Sequence, residues 1–229
     1  MRFQTIRKSI TGLGITFLLA GTAFIHTGNT SDMASPKQHF DAFGIELETL
    51  RSHLKKSGLD ADALFEHPSF AIDETIRERF EKSAEATSID TYLEEADEDD
   101  PEQQERVFQK QFTRYKKRIG FNNKRRGISR FMKKYGDLLD ASEKEYGIPA
   151  EVIAAIIGVE SNYGAVTGKH YAFNVYVSMY VTGYRSDFAL GQLEELLKFA
   201  RKKDMDVFTV KSSYAGAMGY MQFIPYSLN

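Results

Sequence analysis

Apolar residues recur along most of this chain at the spacing of one helix face, and nowhere do they alternate strictly enough to demand a sheet. The first clear stripe is Phe40, Phe43, Leu47, Leu50 and Leu54, which predicts a helix over Pro36 to Lys56 stopped by Ser57-Gly58. A weaker helical stretch runs from Ala61 to Phe65 and is broken by Pro68, while Ala71 to Ala86 fits helix or irregular chain. Glu102 to Lys117 is helical in pattern, with Val107, Phe108, Phe112 and Tyr115 on or near one face. Phe131 to Tyr146 is amphipathic, with Phe131, Tyr135, Leu138, Leu139 and Tyr146 as its apolar positions, and Gly147 ends it.

Pro149 opens the next helix, where its missing N–H costs nothing. From Ala150 to about Asn162 that helix is apolar nearly all round (Val152, Ile153, Ala154, Ala155, Ile156, Ile157, Val159), the pattern of a buried helix. Tyr171 to Tyr184 (YAFNVYVSMYVTGY) is rich in β-formers. Its helical surroundings favour a buried helix instead. Asp187 to Arg201 is a clear helix, with Phe188, Leu190, Leu193, Leu196, Leu197 and Phe199 as apolar positions. The fold class predicted is all-α.

The first residues follow a different pattern. Arg2, Arg7 and Lys8 precede a nearly uncharged apolar run from Ile10 to Ile25, with small residues at Gly21-Thr22-Ala23. This predicts a secretory signal peptide or N-terminal anchor over residues 1–26, the run being short for a full span of about 20 residues. A polar linker over 27–35 and one domain over 36–229 follow. Either reading of the N-terminus exports the domain to the periplasm or cell envelope, and an anchor would also associate it with the membrane.

Composition narrows the functions. The 229 residues are 42% hydrophobic and 27% charged, ordinary values for a globular protein, and they contain no cysteine. A disulfide framework and a thiol nucleophile are excluded. A formal net charge of −2 points neither to nucleic acid nor to a membrane surface. Glu94 to Asp100 (EEADEDD), closed by Pro101, lacks the alternating ligands and central glycine of a calcium loop and reads as solvated. The basic residues between Arg114 and Lys134, Lys124 among them, read as a solvated face, or as an attraction to the acidic peptides of murein or to anionic lipid, and not as a nucleic-acid site.

Glu160 breaks the pattern. It closes the most apolar helix in the chain, in the string Gly158-Val159-Glu160-Ser161-Asn162-Tyr163-Gly164. Apolar surroundings and the negative end of a helix dipole both disfavour an ionised carboxylate. A carboxylic acid held protonated near neutral pH is what glycosidic cleavage needs, because the leaving oxygen must receive a proton. The other reading is a glutamate that leaves the buried face and pairs with a lysine. A second string, Ser212 to Pro225 (SSYAGAMGYMQFIP), combines small residues with Gln222, Ser213 and aromatics. It suits close approach to a ligand or a tight helix–helix contact. With no tryptophan present, stacking on a sugar would fall to the 12 Tyr and 17 Phe.

The Gly158–Gly164 string and Ala215-Gly216-Ala217-Met218-Gly219-Tyr220-Met221-Gln222-Phe223-Ile224-Pro225 resemble the two signature blocks of the lytic murein transglycosylase B family, together and in order. The resemblance extends to Tyr146-Gly147-Ile148-Pro149 and Arg114-Tyr115, covering 105–229 well and 36–104 loosely. It implies a lysozyme-like helical fold and cleavage of the β-1,4 bond between N-acetylmuramic acid and N-acetylglucosamine in peptidoglycan, forming 1,6-anhydro-N-acetylmuramic acid. Glu160 carries over as the single catalytic acid/base. Ser213 matches a position that orients the carboxylate or substrate, Gln222 and Tyr115 match substrate-contacting positions, and Asn162 and Tyr163 lie beside the acid as further binding candidates. No cofactor and no metal is implied at this site; the partner is the glycan strand.

Two departures stand out. Family members continue past Asn229 with residues that complete the cleft and an acidic calcium-binding loop, so the domain reads as C-terminally truncated. Met179 to Phe188 also differs from the usual family sequence. A lysozyme-type muramidase using water, or a peptidoglycan-binding protein without catalysis, are the alternative functions.

Overall fold

Leu47, Leu50 and Leu54 are fully buried in a computed structural model, which describes residues 36–87 and 100–228, so the first predicted stripe does face a core. The expected signal peptide or anchor, the linker and residues 94–99 of the acidic run lie outside the described residues, as does the Phe40 side chain. The helices are α1 (Pro36–Lys56), α2 (Ala61–Glu66), α3 (Ile76–Thr87), α4 (Pro101–Arg118), α5 (Phe121–Tyr146), α6 (Ala150–Ser161), α7 (Ala172–Val181) and α8 (Ser186–Lys202). Two-residue strands β1 (His170–Tyr171) and β2 (Lys211–Ser212) pair antiparallel, His170 opposite Ser212. This ribbon is an addition to the all-α expectation and does not change the class.

The larger core surrounds α7. Phe173, Val175, Tyr176, Val177 and Met179 pack with Leu47, Leu50 and Leu54 of α1, Phe65 of α2, Ile76 and Phe80 of α3, and Leu193 and Leu196 of α8. The β-rich string is therefore a helix, buried at nine of its ten positions, because burial on all sides outweighs strand propensity. Its polar residues are bonded inward: Asn174 Nδ2 donates to the Ser69 carbonyl at 2.7 Å, and Ser178 Oγ accepts from the Asp73 N–H at 2.8 Å.

A smaller core lies between α5 and α6, built from Phe131, Leu139, Ala150 and Ala154, with Ile128, Ile153, Ile157 and Tyr163 partly buried against it. Gly147 in the left-handed conformation ends α5, as predicted, and α6 starts at Ala150, whose N–H donates to Glu143 Oε2 at 3.0 Å. Three expectations need correction here. α5 begins at Phe121, ten residues before the predicted start: left-handed Gly120 separates it from α4, and the basic residues at 124–126 had hidden its periodicity. α6 is not buried all round, since Val152 and Ile156 are more than two-fifths exposed; α5 covers only its other face. Leu138, Tyr146, Phe108 and Phe112 are likewise exposed, and α4 contains no buried residue. Asp100, last of the acidic run, serves as the α4 N-cap by accepting from the N–H groups of Glu102 and Gln103.

Candidate active site

Glu160 sits on the last turn of α6, where the chain turns sharply. Asn162, Tyr163 and Gly164 are three successive residues with positive φ, at 50°, 61° and 85°. Asparagine and glycine accept that region easily, whereas a tyrosine there holds strain of about 1–2 kcal/mol. Ser161, fully buried, stabilises the turn by accepting from the Gly164 N–H at 3.0 Å and donating to the Ile157 carbonyl at 3.1 Å.

Tyr163 ties this turn to α5. Its hydroxyl donates to the Lys124 carbonyl at 2.7 Å, and its ring lies 5.2 Å from that of Phe131. The ring covers Gly158 and Gly127, where an added Cβ would come within 2.6 Å of it in each case. Tyr163 is thus a structural strut as well as a neighbour of the acid. Lys124 points inward, unlike the solvated face expected of its stretch. Its ammonium donates to the carbonyls of Gly158 at 2.6 Å and Val159 at 3.0 Å.

These contacts set the electrostatics. Burial pushes the Glu160 carboxyl above its ordinary range, and the positive charge of Lys124 opposes that rise. Burial in turn pushes Lys124 down, and Glu160 pulls it back up. The two readings of Glu160 therefore combine. It is an acid in partly apolar surroundings, and a lysine stands near it whose hydrogen bonds go to the helix carbonyls.

The second block packs against this turn as a loop and not as a helix. Tyr220 lies on Gly164 so closely that a Cβ there would fall 1.5 Å from its ring, and a Cβ on Gly168 would meet the Ser212 carbonyl carbon at 2.0 Å. Ser213 Oγ accepts from the N–H groups of Ala215 and Ala217, both at 3.2 Å, which leaves its hydroxyl hydrogen to offer. Gly216 passes under the buried Tyr176, whose hydroxyl donates to its carbonyl at 3.0 Å. The small residues of this block thus serve packing within the chain. Gln222 has φ 49° and its Nε2 donates to the Gly219 carbonyl at 2.8 Å.

Of the predicted site residues, Glu160, Asn162 and Tyr163 are contiguous on one turn, and the loop carrying Ser213 and Gln222 is brought against that turn. Tyr115 is on α4, half-buried, with the Arg118 guanidinium 5.9 Å from its ring centre. Lys124 and Tyr220 were not singled out from the sequence. No local signal marks Lys124, whose partners are main-chain carbonyls, and the place of Tyr220 is marked only by the missing side chain at Gly164. A depression of about 360 Å³ lined by Glu48, Thr49, Ser52, His53 and Lys56 on α1 holds no residue of either block. Among the described residues no three His, Asp or Glu converge to hold a metal, and no helix is long and apolar enough to cross a membrane.

The family described as "Transglycosylase SLT domain" matches residues 42–229, most of the chain and both blocks. The chain belongs to the transglycosylase SLT domain family. Within that family, the membrane-bound lytic murein transglycosylase B of Escherichia coli (strain K12) is 38% identical over 116 residues, 50% of this chain and 32% of its own length. The structure of Escherichia coli lytic transglycosylase Slt35 in complex with bulgecin A superposes with a TM-score of 0.61 at 26% identity, over 85% of this chain and 58% of that one. Catenated lytic transglycosylase SltB1 from Pseudomonas aeruginosa gives 0.61 at 27% identity, over 80% and 54%. The SLT chain described here therefore spans about a third of that curated relative and just over half of these two structures.

Proposed function

We propose that this chain is a lytic transglycosylase domain that cuts the β-1,4 bond between N-acetylmuramic acid and N-acetylglucosamine in peptidoglycan, with Glu160 as its single acid/base. The observation that carries the reading is the placement of Glu160, partly buried at the end of α6, its carboxyl pushed up by that burial, with the second block packed against the same turn. Glu160 gives its proton to the glycosidic oxygen as the bond from C1 of the muramoyl residue breaks, and N-acetylglucosamine leaves with a free 4-hydroxyl. The muramoyl C6 hydroxyl then bonds to C1 and returns its proton to Glu160. The product is 1,6-anhydro-N-acetylmuramic acid and no water is consumed. Lys124 is the charged neighbour that favours the carboxylate form of Glu160.

Ser213, Gln222, Asn162 and Tyr163 are assigned to the glycan, Ser213 through its remaining hydroxyl hydrogen. Tyr115 is assigned to the glycan strand as well. Export to the cell envelope is supported by Arg2, Arg7, Lys8 and the apolar run after them, which also offers a means of membrane association. The test is digestion of purified murein sacculi with the full chain, beside Glu160→Gln, read by mass spectrometry. Anhydro-muropeptides from the wild type alone are expected. Reducing-end products would move the reaction to hydrolysis, and glycan binding without any product would leave a binding protein.

A further inference from the structure

Lys124 belongs to the basic stretch that the sequence assigns to solvent, yet it turns its ammonium onto the main chain of the helix that carries the acid. Two of its three hydrogens are used on the carbonyls of Gly158 and Val159, the residues just before Glu160. At the same point the Tyr163 hydroxyl, from beyond Glu160, is bonded to the Lys124 carbonyl. One residue of α5 therefore grips the chain on both sides of the acid.

We propose that Lys124 is a positioning residue for Glu160: it holds the terminal turn of α6 by its carbonyls and keeps a positive charge beside the carboxyl group. The inference rests on Glu160 being the acid/base. After the leaving oxygen has been protonated, Glu160 is a carboxylate at the negative end of a helix, partly out of water, and both features oppose that state. A cation bonded to the terminal carbonyls cancels the helix-end charge and favours the carboxylate directly. The second half of the reaction needs this carboxylate as base. Lys124 from α5 is the charged group beside Glu160; the other titratable groups packed around this turn are Tyr163, bonded to the Lys124 carbonyl, and Tyr220 of the second block, which lies on Gly164 and is bonded to Tyr135, with Lys134 beyond. Lys124 alone of these acts on it as a charge.

The test is a carbon-13 titration of the glutamate carboxyls in the full chain, with Glu160 assigned as the resonance missing from Glu160→Gln. Wild type, Lys124→Met and Lys124→Arg are compared. The midpoint of Glu160 is expected to move to higher pH in Lys124→Met and to return toward wild type in Lys124→Arg. The alkaline limb of the murein-cleavage profile should move in the same direction. A midpoint unchanged in Lys124→Met, even with lowered thermal stability, would reduce Lys124 to a helix cap and overturn the proposal. Should Lys124→Met not fold, Lys124→Gln takes its place, since it can still donate to a carbonyl without the charge. An unchanged Glu160 midpoint in that variant overturns the proposal. The resonance titrates whether or not the chain cuts murein, so a failure of the catalytic reading and a failure of this one are told apart.

Discussion

The phenol ring of Tyr163 occupies the space that any side chain at Gly158 would need, two atoms of it lying 2.6 Å from where a Cβ would stand. Alanine is ordinarily the better helix residue by about 1 kcal/mol. Here Gly158→Ala must displace a ring that is fixed by Phe131 and by its bond to the Lys124 carbonyl, a loss of about 1–3 kcal/mol from overpacking. Urea denaturation should show net destabilisation in the wild type. In a Tyr163→Ala background the same substitution should be neutral or stabilising. Equal effects in the two backgrounds would mean that the ring does not dictate this glycine.

The ionisation of Glu160 predicts how stability depends on pH. Burial raises its pKa on folding, so the folded state binds the proton more tightly than the unfolded one. The corresponding stability is fully present below the ordinary glutamate range, about pH 4.3, and is lost as pH rises through the folded-state value. Melting temperatures of wild type and Glu160→Gln should therefore diverge as pH rises, the wild type falling relative to the variant. A constant difference from acid to neutral pH would contradict this.

Tyr176 holds up the second block from below. Burial pushes its hydroxyl far above the ordinary phenol range, and its hydrogen is committed to the Gly216 carbonyl. Tyr176→Phe should cost about 1–2 kcal/mol, because that carbonyl loses a buried donor while the packing is kept. Murein cleavage should fall as well, since the loop bearing Ser213 loses its support. Full activity in a destabilised variant would separate the loop from the chemistry.

Ser213 has a structural task beside the one proposed for its hydroxyl hydrogen. Its oxygen accepts from Ala215 and Ala217, so Ser213→Ala should destabilise the chain by about 1–3 kcal/mol in denaturant. Ser213→Thr keeps the hydroxyl and should restore most of that stability. If Ser213 also orients the glycan or the acid, the alanine variant loses cleavage beyond what its unfolded fraction explains, measured under conditions where it is fully folded.

Some of this could be read from the sequence, and particular residues show where reading stops. The leucines of α1 and the string that became α7 were legible because burial leaves a periodic or continuous apolar pattern. Val152 and Ile156 had the same pattern and are exposed, since apolar spacing marks a face without saying whether anything covers it. Glu160 was legible as a charge where charge is costly. Lys124 was not, because its partners are main-chain carbonyls, which every residue carries and no side chain announces. Tyr220 was hidden for a related reason: the absence of a side chain at Gly164 makes its place, and nothing local links the two positions.

Lys124 meets the end of α6 at two separate points, through its carbonyl to the Tyr163 hydroxyl and through its ammonium to Gly158 and Val159. A single link would be a pivot about which the terminal turn could swing. Two links on opposite sides of Glu160 remove that degree of freedom, so the backbone beneath the acid behaves as a fixed anvil. In the proposed reaction, changes of alignment would then come from the sugar sliding and puckering over it, and from rotation of the glutamate side chain.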